Sequence, residues 1–279
     1  MTNQASILTR RDFVRGTVAA TLSVSVLSGK QTPAAAAEGK SRVVLVRDEN
    51  VLNAERQVDT AILKTMLDDT VIQVTGKASA KEAWLSLFTP EDKIGLVPTP
   101  HLNKTHQEVI DGIVQCLEEA GIPKAQINPN CQGSVDKIED RTALIAVPAL
   151  KAHWLTGVGT VLKNYIMYSG KPRDYHNENS AKLGEIWNLP AVQGKTKLIL
   201  VDALTPLCDK GPQPDPRYVW PYHGVIAGTD PVAVEAVGLK IIESKREAMQ
   251  GEPWPLTPPP LCVETAEKTY KLGCSDWSQ

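Results

Sequence analysis

Short, uninterrupted apolar runs recur along this chain and constrain its fold more than any other feature. A run without polar residues at alternate positions is typical of a strand that is buried on both faces. Segments with apolar residues at helical spacing separate these runs. Strands that alternate with helices in this way predict an α/β fold, in which helices cover both faces of a mostly parallel sheet. The predicted strands are residues 42–47, 93–97, 143–147, 197–201 and 225–227.

The predicted helices lie between the strands, and their limits come from capping residues, glycines and prolines. The proline-rich stretch 252–260 lacks backbone donors that a regular helix needs, so we expect it to run over the surface. The chain is long enough for one domain with a substantial core. The predicted helices are residues 51–67, residues 80–88, a segment from Asn103 or Thr105 to Gly121, a segment from Asp230 and Pro231 to about Arg246, and residues 262–272.

The first forty residues have the pattern of a twin-arginine (Tat) export signal. Arg10 and Arg11 form the arginine pair, and Phe13 follows two residues later. Residues 17–29 are uncharged and moderately apolar, and the alanines at 34–37 offer the small side chains that signal cleavage requires. The pattern predicts export through the Tat machinery, which is then a partner of this chain.

Cleavage within the alanines would divide the chain into two parts. We expect residues 1–37 to be a cleaved signal peptide and residues 38–279 to be a single α/β domain, periplasmic or otherwise exported. A retained membrane anchor is the alternative. The apolar run is shorter than the roughly 20 residues that a membrane helix needs, and no later segment is apolar enough. We therefore expect no stable membrane span after cleavage.

Several classes of function lack support in the composition and motifs. The net charge of -2 argues against nucleic-acid binding, which depends on a basic surface. The motifs of zinc metalloproteases, α/β-hydrolases and P-loop proteins are absent from the sequence. The five cysteines include no C-x-x-C pair, which argues against an iron–sulfur cluster. Export would permit disulfides, so we expect buried thiols, with or without one or two disulfides among them.

The densest group of chemically useful residues lies in the segment 147–164, directly after a predicted strand. Its glycines allow backbone N–H groups to approach a ligand, and two lysines and a histidine add positive charge. This combination suits a small bound anion such as a phosphate, carboxylate or sulfonate. A buried connection with solvated lysines would produce the same pattern. The residues concerned are Lys151, His153, Thr156, Gly157, Lys163 and Asn164.

Three further candidates, His101, Asp202 and Asp230, follow predicted strands, where open α/β sheets bind their ligands. The carboxylate of Asp202 can bind a metal, hold a lysine, accept a proton or begin a turn. Asp230 either caps the helix that follows it or faces the site. A divalent metal held by His153 with Asp202 or Asp230 is one version of the site, and nitrogen and oxygen ligands of this kind do not identify the ion.

Two longer motifs resemble a known family. The segment 147–164 reads VPALKAHWLTGVGTVLKN, and DAL at 202–204 is followed by GVIAGTDPVAVEAVG at 224–238. Together they are similar to the family called domain of unknown function 362, and the resemblance covers residues 42–272. It implies no settled activity. Some members carry an appended ferredoxin module, whose closely spaced cysteines this chain does not have.

The motifs also depart from the pattern of the family that they resemble. Ala152 stands where the family has threonine, and Glu235 stands where it has aspartate. The earlier lysine–proline–asparagine element corresponds to VPTPH here, at residues 97–101. This change replaces a lysine and draws attention to His101.

Three functions fit these features. The first is an enzyme that binds a small anionic substrate, with or without a divalent metal, in a crevice at the carboxyl ends of the strands. The second is a non-catalytic binding or accessory protein of a periplasmic redox system, and the third is a structural protein with a vestigial crevice. In the enzyme hypothesis His153, Lys151 and Lys163 are catalytic, Asn164, Thr156, Gly157 and His101 bind substrate, and Asp202, Asp230 and His153 hold the metal.

Overall fold

The apolar runs form a mixed β-sheet in the computed structural model, which describes residues 25–26 and 41–276. The predicted signal peptide, residues 1–37, lies outside the described residues except for the two of the first strand. The strands are β1 Ser25–Val26, β2 Val43–Arg47, β3 Ile94–Pro98, β4 Ile127–Asn128, β5 Ala143–Val147, β6 Ala149–His153, β7 Gly157–Val158, β8 Thr196–Leu207 and β9 Gly224–Gly228.

The sheet is mostly parallel and follows the order β1-β2-β9-β8-β5-β3-β4. After Pro148 the chain continues from β5 into β6, which pairs in parallel with the second half of β8. The exception on the main path is β9, which runs antiparallel to both of its neighbours, β2 and β8. The carboxyl end of β9 therefore lies at the opposite edge of the sheet from the carboxyl ends of β3, β5 and β8.

Helices cover both faces of this sheet, as the sequence predicts, and the described residues form a single α/β domain. One face packs against α1 Thr60–Thr75, α2 Ala80–Leu87 and α3 Gln107–Ala120. The other face packs mainly against the later helices and the turns between them. These later helices are α4 Asp136–Glu139, α5 Leu183–Trp187, α6 Pro231–Gln250 and α7 Leu261–Lys268.

The first helix begins nine residues later than its apolar spacing suggests, so the prediction of a helix over 51–67 is wrong in its limits. Asp59 is the reason, because its side chain accepts the N–H groups of Ala61 and Ile62, each at 3.0 Å. This capping starts the helix at residue 60. The helix ends at Gly76, which has a φ of 69°. The final helix likewise ends at residue 268 rather than 272.

The predicted N-cap of α3, Asn103 or Thr105, is also wrong, since His106 occupies the cap position. Thr105 instead donates its hydroxyl to the carbonyl of Val147 at 2.6 Å and accepts the N–H of Thr99 at 2.9 Å. One threonine thereby joins the chain segments that leave β3 and β5. Gly121 ends α3 as predicted, with a φ of 112°.

All five cysteines are free thiols, and four of them are buried. Of the two alternatives, the structure has the one without disulfides, and the four buried thiols pack as small apolar side chains. Within the described ranges, none of the helices combines the length and the apolar character needed to cross a membrane.

Candidate functional site

A cavity of about 260 Å³ opens beyond the carboxyl end of β3 and beside β6. This is the edge of the sheet at which the sequence predicts a ligand crevice. Five of the predicted site residues converge there, namely His101, Lys151, His153, Lys163 and Asn164. The full lining is Thr99, Pro100, His101, Leu102, Gln132, Lys151, His153, Gly159, Lys163, Asn164, Ile166, Met167, Pro172, His176 and Pro212.

The strand β6 places Lys151 and His153 on the same side, because side chains two residues apart in a strand share a face. The chain then turns back, and Gly157 pairs with His153 in the short antiparallel partner β7. Gly159 follows, and its N–H donates to the carbonyl of Lys151 at 2.9 Å. A Cβ at residue 159 would lie 3.1 Å from Cβ of His153, so glycine allows this close approach.

The charge of the cavity comes from two lysines. Lys151 is 5% exposed and donates to the carbonyl of Asn103 at 2.9 Å, while Lys163 Nζ has no hydrogen bond or ion pair to any described residue. The described residues that line the cavity include no carboxylate. Burial and repulsion from Lys163 lower the pKa of Lys151 to about 7, and burial lowers the pKa of Lys163 to about 8. Among the residues that the structure describes, neither ammonium group has a carboxylate partner that would offset its desolvation.

His153 enters the cavity as a neutral ring. Its Nδ1 accepts the N–H of Leu155 at 3.2 Å, so the proton of the neutral imidazole is on Nε2. Burial lowers its pKa to about 3, with further lowering by Lys163, His176 and Lys151. In this geometry His153 offers a hydrogen-bond donor rather than the lone pair that a base or a metal ligand needs.

His176 is a cavity residue that the sequence reasoning missed. Its ring stacks on that of His153, with centroids 5.5 Å apart and planes at 29°. Its Nδ1 lies 3.3 Å from the carbonyl of Arg173, which can only accept, so Nδ1 carries the proton. Burial lowers the pKa of His176 below its usual value, which favours the neutral ring. The Nε2 atom of His176 is thus a proton acceptor at the cavity.

Asn164 is held between β3 and the irregular segment that contains Gln132. Its side-chain Nδ2 donates to the backbone carbonyl of Val97 at 2.7 Å, and its backbone carbonyl accepts from Nε2 of Gln132 at 3.2 Å. Both residues line the cavity and both are buried. Gln132 had no sequence signal, because it lies in an irregular segment 32 residues from Asn164.

Thr156 and Gly157 do not line the cavity. Thr156 is fully buried and donates its hydroxyl to the carbonyl of Val158 at 2.7 Å. Gly157 has a φ of 74°, and a Cβ there would lie 2.6 Å from the carbonyl oxygen of Pro258. These two residues shape the turn between β6 and β7 and pack it against the proline-rich segment.

Asp202 holds a histidine rather than facing the cavity. One carboxylate oxygen accepts both the N–H of His106 and its Nδ1, each at 2.7 Å, and the other oxygen accepts the N–H of Leu204 at 3.0 Å. Burial opposes protonation of His106, but the Asp202 carboxylate outweighs it and raises the pKa of that imidazole. The far nitrogen of His106 lies 3.2 Å from the hydroxyl of Thr205. Asp202 therefore fixes the chain at the start of α3.

Asp230 lies at the other edge of the sheet, because it follows the antiparallel strand β9. It caps α6 by accepting the N–H groups of Val232 and Ala233 at 2.8 and 2.9 Å. Its second oxygen accepts from the hydroxyl of Ser41 and the N–H of Cys274. The predicted capping role is confirmed, and the geometry does not bring Asp230 to the cavity.

The three proposed metal ligands, His153, Asp202 and Asp230, do not share a site. Each carboxylate is occupied by hydrogen-bond donors, and neither lines the cavity that contains His153. More generally, the part of the chain that the structure describes has no group of three or more His, Cys, Asp or Glu side chains placed to hold a metal ion. The three side chains that were expected to hold a metal therefore lie at separate places in the fold.

Glu235 is a buried carboxyl that contacts the turn in front of Lys163. It is 0% exposed, and one of its oxygens accepts the N–H of Leu162 at 2.6 Å. Its other oxygen has no partner among the described residues. Burial raises the pKa of this carboxyl to about 7. Because Leu162 directly precedes Lys163, this hydrogen bond positions the turn that carries the cavity lysine.

Comparison with known proteins supports the family resemblance over part of the chain. Searches against curated proteins and against solved structures found no match. The matched family model begins just after Gln132 and ends within α6, so it includes both lysines of the cavity and the buried Glu235. Residues 133–240 match the model of the family described as Domain of unknown function (DUF362).

Proposed function

We propose that this protein binds a small oxyanion in the cavity that contains Lys151 and Lys163. The observation that carries the proposal is that buried Lys151 and half-buried Lys163 share one cavity whose described lining residues include no carboxylate. Burying an ammonium group without a negative partner is costly, and a bound anion would remove most of that cost. The cavity volume of about 260 Å³ suits a small ligand.

The other polar groups complement an oxyanion. Neutral His153 presents an N–H donor, and Lys163 is free to place its ammonium against a negatively charged oxygen. Lys151 keeps one bond to a backbone carbonyl and retains further N–H donors. Three donors from two neighbouring segments can thus reach one ligand.

The cavity also contains groups that suit proton transfer, and these groups favour an enzyme over a protein that only binds the anion. The pKa of Lys151, about 7, is poised for acid–base work at neutral pH, and His176 offers an unprotonated nitrogen. The same cavity would serve a non-catalytic binding or accessory protein of a periplasmic redox system. Turnover of a bound anion distinguishes the enzyme from that alternative.

Sulfate binding is expected to weaken as the pH rises from 6 to 9. Sulfate keeps its charge throughout this range, whereas Lys151 and Lys163 in the empty cavity lose protons near pH 7 and 8. At high pH, binding must therefore be accompanied by proton uptake. Linkage sets an upper limit of about tenfold in affinity per pH unit for each proton taken up. Isothermal titration calorimetry in two buffers of different ionisation enthalpy measures both the affinity and the protons.

Lys163→Met tests whether the heat comes from this cavity, because sulfate also acts on proteins without binding to a specific site. The variant is expected to show no sulfate heat. Binding of equal strength in the variant, or an affinity that does not change with pH, would contradict the proposal.

We also propose that the chain is exported by the twin-arginine route, on the basis of Arg10, Arg11 and the apolar run that follows them. Cell fractionation is expected to place the processed protein in the exported fraction. Arg10→Lys combined with Arg11→Lys is expected to retain the full-length chain inside the cell. Processing and export that continue in the double variant would contradict this route.

A further inference from the structure

Lys151 has the surroundings of a nucleophilic amine. It extends from β6, lines the cavity and is 5% exposed. Its Nζ donates to the backbone carbonyl of Asn103 at 2.9 Å. A carbonyl oxygen only accepts, so the neutral amine can make this hydrogen bond as well as the ammonium can. Since the described lining residues include no carboxylate to hold a further proton, the nitrogen can keep a free lone pair.

Other cavity groups lie close to this amine. Burial is the main cause that lowers the pKa of Lys151 to about 7, and the charge of nearby Lys163 lowers it further. The charges of both lysines also add to the effect of burial on His153, whose ring stacks on that of His176 with centroids 5.5 Å apart. The cavity therefore combines a reactive amine, a second cation and two neutral imidazoles.

We propose that Lys151 forms an imine with the carbonyl carbon of a small oxo acid, while Lys163 binds the carboxylate of the same molecule. This inference rests on the proposed function and adds the substrate class and the reacting atom. Lysine amines that react in this way are activated by burial or by a neighbouring cation, and Lys151 has both.

The covalent step needs only the lysine and the carbonyl compound. The lone pair of Lys151 Nζ attacks the carbonyl carbon and forms a C–N bond, and the π electrons of the C=O bond move to the oxygen. This oxygen then leaves as water while the C=N bond forms. The lysine ammonium loses two protons in all and the departing water gains two, so the product is a protonated imine and no oxidant or reductant is used. Nε2 of His176, an acceptor at the cavity, suits the transfer of these protons.

The two lysines differ in a way that suits a ligand with one carbonyl and one carboxylate. Lys151 is buried and held by Asn103, as a nucleophile with a fixed position requires. Lys163 is half-buried, and its Nζ has no hydrogen bond or ion pair to a described residue, so it can follow the carboxylate. A site that only binds an anion would not need a lysine that loses its proton near pH 7.

Reductive trapping tests this inference. Pyruvate has the required ketone and carboxylate, and sodium cyanoborohydride reduces an imine to a stable secondary amine. At pH 7 we expect mass spectrometry of the intact protein to show a pyruvate adduct and peptide mapping to place it on Lys151. Pyruvate should label Lys151 faster than acetone does, by about tenfold or more, since acetone has no carboxylate to position it. Excess sulfate should slow the labelling by pyruvate, because it would occupy the same cavity.

Three variants define the roles of the lysines. Lys151→Met is expected to abolish the cavity adduct, and Lys163→Met is expected to lower the rate with pyruvate to that with acetone. Lys240→Met is the matched control, because Lys240 is an exposed lysine on α6 and lies outside the cavity lining. Its replacement should leave the labelling of Lys151 unchanged.

The possible failures separate this inference from the proposed function. Sulfate binding without an adduct on Lys151 would overturn the imine and leave the oxyanion site standing. If neither sulfate bound nor an adduct formed, both proposals would fall. Labelling spread evenly over the exposed lysines, or a rate with pyruvate no higher than with acetone, would also overturn the inference.

Discussion

Replacing Lys151 by methionine is expected to stabilise the protein and to abolish oxyanion binding. Methionine keeps the unbranched, flexible form of the side chain and removes a buried charge. The difference between the usual lysine pKa of 10.5 and about 7 in the fold corresponds to about 5 kcal/mol. We take this as the upper limit of the gain, since Asn103 loses a hydrogen bond from Lys151.

The gain from Lys151→Met should depend on pH in a defined direction. Below pH 7 the lysine is charged in both the folded and the unfolded protein, so the folded state carries the full cost of burying the charge. Between pH 7 and pH 10.5 the folded protein has lost this proton, whereas the unfolded protein still carries it. The cost of burying the charge therefore falls as the pH rises and is gone above pH 10.5. The free energy of unfolding from urea titrations should therefore differ most between variant and wild type at pH 6, and the difference should narrow by pH 9.

Lys240→Met is the control for this prediction, because Lys240 is exposed on α6 and its replacement should change stability by less than about 0.5 kcal/mol. A Lys151→Met protein that is no more stable than the wild type at pH 6 would show that the ammonium is not desolvated. A variant that still binds sulfate with wild-type affinity would show that this lysine does not hold the anion. The expected combination, higher stability with lost binding, is the usual sign of a functional site.

Glu235→Gln is expected to stabilise the protein at pH 8 and to have little effect at pH 4.5. The folded carboxyl has a pKa of about 7, above its usual 4.5. The unfolded state therefore releases a proton that the folded state retains, and wild-type stability falls as the pH rises through this window. The full difference corresponds to about 3 kcal/mol. Glutamine cannot ionise, and its side-chain oxygen can still accept the N–H of Leu162.

The net gain at pH 8 should be about 1–3 kcal/mol, since the new amide nitrogen occupies a buried position that has no partner. Urea titrations at pH 4.5, 6 and 8 measure it. Glu247→Gln is the control, as Glu247 is exposed on the same helix. A constant difference across this pH range would indicate that Glu235 does not titrate in the folded protein. Sulfate binding should survive in Glu235→Gln, because the hydrogen bond that positions Lys163 is retained.

The strands could be predicted from the sequence, because a strand buried on both faces consists of consecutive apolar residues. The runs at 143–147 and 197–201 correspond to β5 and to the first half of β8. The limits of the helices were harder to predict. The apolar spacing before α1 begins at residue 51, but capping by Asp59 starts the helix at residue 60. The lysines and His153 were found because they cluster within 13 residues of one another.

Other residues of the site could not be predicted from any local sequence pattern. Gln132, His176 and Met167 reach the cavity from three separate segments without a common motif. The partner of Asp202 proved to be His106, 96 residues away in the chain. Contacts of this kind come from the way the loops pack, and periodicity carries no information about that packing.

The sequence by itself determined the α/β class, the succession of strands and helices, and the concentration of positive charge that follows the third predicted strand. Only the tertiary structure decided where that charge lies and what surrounds it. The direction of each strand matters first, because β9 runs antiparallel to β8 and so places Asp230 at the opposite edge of the sheet from the cavity. Burial matters as much, because desolvation lowers the pKa values of Lys151 and Lys163. Both are properties of residues that meet only when the chain folds.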